Sequence, residues 1–193
     1  ERYRPFPRWG EPMPERLAAF VPRAEDAAGR IVPALPATKF IEFQKNGNRT
    51  HFENLVSENR MDLMALALAE CYEGKGRFIG PVIDRIWAMC EESTWCIPAA
   101  MNQYPTVDCT DWELPPPGAY PYIDLSCAYS AAQLALIIYL LEEPLRRESP
   151  VLVARAEAEL NRRAFDAFLG TDLMWWMGLS SRNAVNNWNP WVN

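Results

Sequence analysis

The stretch Leu134 to Leu141 reads LALIIYLL and is apolar on every face of a helix. A helix without a polar side has no surface to offer water, so other elements must enclose it. The wider run from Ala131 contains Gln133 and stops at Glu142, which leaves it short of the roughly 20 residues that a bilayer crossing needs. No membrane span is therefore expected, and the chain has to build layers around this segment. Ser149-Pro150 reads as a cap followed by proline in the first turn, opening an amphipathic helix over about 149–168. Val153, Ala156, Leu160, Ala164 and Phe168 form its buried stripe. Arg155, Glu159, Arg162 and Asp166 are expected to stay wet.

The same alternation occurs earlier. A helix over about 51–73 places Phe52, Leu55, Val56, Leu63, Leu66, Ala67 and Cys71 at mostly helical spacing and ends before Gly74. The next, about 80–93, carries Ile83, Ile86, Trp87 and Cys90 as one stripe. The third, about 126–142, opens with Ser126 as N-cap and is expected to stop before Pro144. If helices one and three are inner and two and four outer, the connections sort by parity. The turns 74–79 and 143–148 then share one end, and the long connections 94–125 and 169–185 share the other. Long ordered connections are uncommon in compact domains and are often functional. The fold class expected is all-α, built from antiparallel helical pairs.

Residues 1–37 hold seven prolines, which exclude long regular elements and point to an arm lying over the domain. Lys39 to Gln44 alternates apolar and polar residues in part, and Asn46-Gly47-Asn48 is a turn signal. A short extended piece and a turn are expected there, giving an arm over 1–50 and a helical array over 51–193.

Nineteen basic against 25 acidic residues leave a formal charge of −6. That disfavours a broad nucleic-acid surface, which needs a Lys/Arg-rich face. Cys71, Cys90, Cys96, Cys109 and Cys127 make an odd count without a CxxC pair, beside a single His51. No metal site and no other cofactor are expected from that set; buried thiols are the simplest role, with one disulfide open to an exported chain. A nucleophilic triad would have to use His51 itself, at a helix start.

The long connections gather the unusual residues. One holds Trp95, Asn102, Gln103, Tyr104, Asp111 and Trp112; the other holds Trp175-Trp176 and runs into Arg182-Asn183 and Asn186-Asn187-Trp188-Asn189-Pro190-Trp191. Flat rings beside amides suit sugars, whose C–H faces pack on aromatics while their hydroxyls need directional partners. Tryptophans filling gaps between helices, and asparagines capping helix ends, are the competing structural roles.

Cys90-Glu91-Glu92-Ser93-Thr94-Trp95-Cys96-Ile97-Pro98-Ala99 resembles the C-E-x-x-x-W-x-x-P-A-H stretch of heparinase II/III-like polysaccharide lyases. Glu159-Leu160-Asn161-Arg162-Arg163 and Asn186-Asn187-Trp188-Asn189 resemble that family's e-l-x-R-R and N-N-W-N stretches, in matching order over roughly residues 37–193. The resemblance implies an incomplete α/α toroid, with the rest of the toroid and β-sandwich domains lying beyond this segment. It also implies cleavage of an acidic, uronate-containing polysaccharide or oligosaccharide by β-elimination, outside the cytoplasm (periplasmic or secreted). By position Asn187 is the amide that offsets the uronate carboxylate as charge develops. Asn186, Trp188, Glu92, Trp95, Arg182 and Trp112 are its substrate-binding neighbours, Arg182 as a charged clamp.

The chain departs from the pattern at Ala100 and Trp188, where family members carry histidine, and no tyrosine here takes the proton-transfer role. The segment alone is therefore expected to be inactive, with that tyrosine lying beyond Asn193. The alternatives from other classes are a noncatalytic glycan-binding module and a toroid glycoside hydrolase using Glu92 and Asp111.

Overall fold

A computed structural model of the protein describes residues 9–101, 113–115, 122–171, 174–179 and 186–192. All regular structure among these residues is helical, as the periodicity requires. Helices α1 (Val21–Ala28), α2 (Ala37–Asn46), α3 (Thr50–Glu73), α4 (Ile79–Glu91) and α5 (Pro98–Met101) precede the long α6 (Leu125–Glu148). Then come α7 (Pro150–Leu160), a π-helical segment (Asn161–Phe165), α8 (Asp166–Leu169) and α9 (Asn189–Val192). The chain divides into two compact units. Unit 1 comprises Glu1–Pro33, Ser57–Glu91 and Gln133–Glu157; unit 2 comprises Ala34–Val56, Glu92–Ala132 and Ala158–Asn193.

Unit 1 has an apolar core from α3, α4, α6 and α7, including Leu63, Leu66, Phe78, Ile86, Leu134, Ile137, Leu141, Leu145 and Val153, all buried. Ala24 and Ala27 of α1 are fully buried as well. Residues 15–28 of the proline-rich segment are thus helical and contribute to the core of unit 1. Proline is tolerated where a helix starts, and Pro22 occupies the first turn of α1 while Pro36 precedes α2. Two buried carboxylates organise this unit. Asp62 Oδ1 accepts from Arg23 Nε at 3.0 Å, and its Oδ2 accepts from Arg30 at 2.9 Å and Arg85 at 3.4 Å. Glu70 accepts from the Trp9 indole at 3.1 Å and from the backbone N–H groups of Gly76 and Phe78 at 2.6 and 3.0 Å. It thereby closes the turn after α3, in which Gly74 and Gly76 take positive φ angles of 61° and 78°.

Two expectations change at α6. Its N-cap is Asp124, whose Oδ1 accepts from Cys127 N–H at 2.7 Å; Ser126 lies inside the first turn. A carboxylate three residues before the donor N–H outcompetes a hydroxyl already within the helix. The helix also passes Pro144 and runs to Glu148, because it bends at Leu141 (φ −113°, ψ 18°). Pro144 then falls in the opening turn of the second stretch, where its missing N–H costs nothing. The turn expected over 143–148 is helix, and only Ser149 separates α6 from α7, its Oγ accepting from Leu152 N–H at 3.2 Å. By length and composition α6 could cross a bilayer, unlike the shorter run read from the sequence. Half of that stretch is buried in the fold, and Ser130 and Gln133 are buried with it.

In unit 2, α2 replaces the extended piece expected at 39–44. Phe40 packs edge-to-face on Phe52, ring centroids 4.9 Å apart, with Val56 and Leu35 completing the cluster. Three apolar residues in six satisfy either period, and the long-range partner decides for helix. The asparagine–glycine signal keeps its meaning, since Gly47 caps α2 in the left-handed region at φ 76°.

Candidate functional site

Unit 2 contains the first motif stretch from Glu92 onward and the other two entirely. Two of the motif stretches meet at Arg163, in the π-helical segment. Its Nε donates to Glu159 Oε2 at 2.6 Å and its Nη2 to the carbonyl of Glu92 at 2.6 Å. The same guanidinium lies 5.1 Å from the centroid of the Trp95 ring, a cation–π distance. One residue of the Glu-Leu-x-Arg-Arg stretch thus clamps the Cys-Glu-x-x-x-Trp stretch. π-turns are rare and frequent at functional sites; here one directs Arg163 inward.

Glu159 is buried, contrary to the expectation that it stays wet. Its stripe position was read correctly as polar, but two cations cover it: Arg163 and Arg162, the latter at 2.5 Å. Burial alone would raise this carboxyl, and the two guanidiniums more than offset that, holding it below the ordinary value. Charge-assisted bonds of this kind are what make a buried carboxylate tolerable.

Asp124 forms the second hub. Besides capping α6 it accepts from Ile97 N–H at 2.8 Å through Oδ2. The tripeptide after Trp95 is thereby tied to the start of α6. Burial pushes the Asp124 carboxyl up to about 6, against the lowering effect of the backbone N–H donors. Beside it, the Tyr122 hydroxyl donates to the carbonyl of Ala100 at 2.8 Å. Ala100 is itself buried.

The two long connections touch. Trp176, fully buried, donates its indole N–H to the carbonyl of Ile123 at 3.0 Å, and Asn186 N–H donates to the carbonyl of Trp176 at 3.2 Å. The stretches bearing Trp95 and Asn187 both belong to unit 2. Trp175 and Trp188 meet at 60° with centroids 5.0 Å apart. The Trp175 indole nitrogen is buried without a hydrogen-bond partner among the described residues.

The sequence-predicted residues separate by exposure. Trp95, 2% exposed, braces the segment from within and offers no open stacking face. Glu92 is half-buried. Asn186 takes the capping role, its Oδ1 accepting from Trp188 N–H at 3.0 Å and its carbonyl from Asn189 N–H at 3.0 Å as α9 begins. Asn187 is exposed, and no described residue engages its amide. Trp188 is half-buried against Trp175. Arg182, Trp112 and Asp111 lie outside the described residues. Sequence reasoning missed Asp124 and Arg163 as organisers; the acid immediately before an apolar helix was the one available signal, for Asp124.

Among the described residues no group of three His, Cys, Asp or Glu side chains converges to hold a metal. Hollows of about 450 and 330 Å³ occur in unit 1, lined by Arg30, Asp84 and Arg85, and by Trp9, Tyr139, Glu142 and Arg146 respectively. Neither contains a motif residue. No family model matches the chain, and comparison with characterised proteins gives no match either.

Proposed function

We propose that the chain is part of an α/α-toroid domain of a heparinase II/III-like polysaccharide lyase, carrying one wall of the cleft for an acidic polysaccharide. The helices would form antiparallel inner and outer pairs, with the remaining toroid and β-sandwich domains supplied by further chain, and the enzyme would act in the periplasm or outside the cell. The observation that carries this reading is the convergence on Arg163 of two of the three motif stretches. Nothing in composition or helix periodicity requires residues 71 positions apart to be joined in that way.

In this reading Asn187 is the working amide and Asn186 its brace. The C5 proton beside a uronate carboxylate becomes removable when donors offset the charge that spreads onto the carboxylate oxygens. An exposed amide held on a short capped turn can donate two N–H bonds to those oxygens. Asn186, Trp175 and Trp188 position that turn. Arg163 acts at one remove, by fixing Glu92 and the bed of Trp95.

The test uses the full-length protein on a panel of uronate polymers, following absorbance of the unsaturated product. Turnover on at least one polymer is expected, with Asn187→Ala lowering kcat far more than it raises KM, because the contact strengthens mainly in the transition state. Binding without any unsaturated product would make this a noncatalytic glycan-binding module. An unchanged kcat in the variant would return Asn187 to a structural role.

A further inference from the structure

Four cysteines among the described residues are free and buried: Cys71, Cys90, Cys96 and Cys127. Two of them meet. Cys96 lies in the segment between α4 and α5, and Cys127 in the first turn of α6. One carboxylate fixes both backbones: Asp124 accepts Ile97 N–H, next to Cys96, on one oxygen, and Cys127 N–H on the other. The thiols lie close enough to act on one another. Their other contacts are weak sulfur ones, Cys96 Sγ to the carbonyl of Tyr122 at 3.4 Å and Cys127 Sγ to that of Arg163 at 3.7 Å. Neither would be costly to give up.

We infer that Cys96 and Cys127 are a cross-linking site: in an oxidising environment they close a disulfide that ties the Trp95 segment to the start of α6. One carboxylate already holds both flanking backbones, so the neighbouring thiols close the bond by side-chain rotation. The oxidant is a low-molecular-weight disulfide such as oxidised glutathione. One thiolate attacks it and expels one glutathione thiolate; the second cysteine attacks the mixed disulfide and expels the other. Two protein thiols are oxidised, two glutathiones are formed, and the two protons end on them. The bond forms as the chain folds rather than as a switch in the finished protein. Burial, the neighbouring thiol and Asp124 all hold the Cys96 thiol in its protonated form, which is the unreactive one. This site is independent of the lyase reading, since it needs no substrate.

The experiment refolds the whole 193-residue chain in a glutathione redox buffer and in parallel in reductant. Each sample is denatured, alkylated without reduction, digested and mapped by mass spectrometry. A Cys96–Cys127 peptide pair is expected from the oxidised sample alone, with Tm of that sample raised by several degrees, on the order of what a loop closure of this length provides. Cys96→Ser and Cys127→Ser should each abolish the pair and leave the other thiol open to alkylation. Complete alkylation of both residues after oxidative refolding would overturn the assignment, as would pairing of either with Cys71, Cys90 or Cys109. Should a variant fail to fold, the wild-type map decides by itself. Native protein treated with oxidised glutathione provides a further check: rapid cross-linking there would refute the folding-coupled route.

Discussion

Both units bury carboxylates, and they neutralise them by different means. In unit 1 Asp62 is fully buried and faces three guanidiniums, from Arg23, Arg30 and Arg85. In unit 2 Asp124 is equally deep but meets backbone N–H groups and thiols. With dipoles rather than cations around it, the buried Asp124 carboxyl is pushed toward the neutral acid. The buried charges of unit 1 therefore behave as structural rivets. Those around the motif stretches of unit 2 leave a group that titrates in a physiological range.

The largest effect expected on this contrast comes from Asp62→Ala. Arg85, only 3% exposed, would lose its carboxylate and keep a buried charge. Breaking such a pair costs about 3–5 kcal/mol, to be read from urea unfolding at pH 7. A loss under about 1 kcal/mol would mean that the three guanidiniums do not depend on Asp62.

Next comes the pH dependence carried by Asp124. Its carboxyl titrates near 6 when folded against an ordinary value of 3.8. The folded state holds the proton more tightly, so the stabilising contribution is present below about pH 4 and is lost as pH rises through 6. One pKa unit is about 1.4 kcal/mol, which puts the whole change at about 3 kcal/mol. Glu42, Glu73 and Glu159, all held low, act in the opposite sense at more acid pH. The measurement is therefore a difference: unfolding free energy of the protein minus that of Asp124→Asn, from pH 4 to 7. A flat difference would show that Asp124 does not titrate between pH 4 and 7 in the folded protein.

A smaller effect, about 1–3 kcal/mol, is expected for Arg163→Lys. An ammonium cannot keep both the Glu159 bond and the Glu92 carbonyl bond while stacking on Trp95. Tryptophan fluorescence and thermal unfolding would both report the loosened segment. An unchanged Tm would show that Trp95 is held by its apolar surroundings alone.

These hubs also mark where the sequence stops being readable. The helix expected over 51–73 is found at Thr50–Glu73, and that over 80–93 at Ile79–Glu91, because their periodicity is local and long enough to be unambiguous. The stripe Val153, Ala156, Leu160, Ala164 was legible for the same reason. The alternation at 39–44 covered too few residues to tell a strand from α2, whose helical choice rests on Phe52. Pro144 misled because its effect depends on a bend three residues earlier. Glu159 misled because its polarity says nothing of the cations that bury it. For the candidate site, residue types and order could be read, whereas the assignment of Asn186 to capping and of Trp95 to an interior position follows from contacts that no spacing encodes.

Glu70 carries a consequence for the order of assembly. Its carboxylate reaches Gly76 and Phe78, six and eight positions downstream. Closing so short a loop takes on the order of 10–100 ns and little chain entropy. The reversal after α3 can therefore form while the rest of the polypeptide is still searching. Arg163 and the Glu92 carbonyl are 71 positions apart, and Trp176 and the Ile123 carbonyl 53, so the loops that carry the motifs are set by slow, non-local encounters. The turn at Glu70 needs only local chain closure, whereas the motif region needs contacts across 53 and 71 positions.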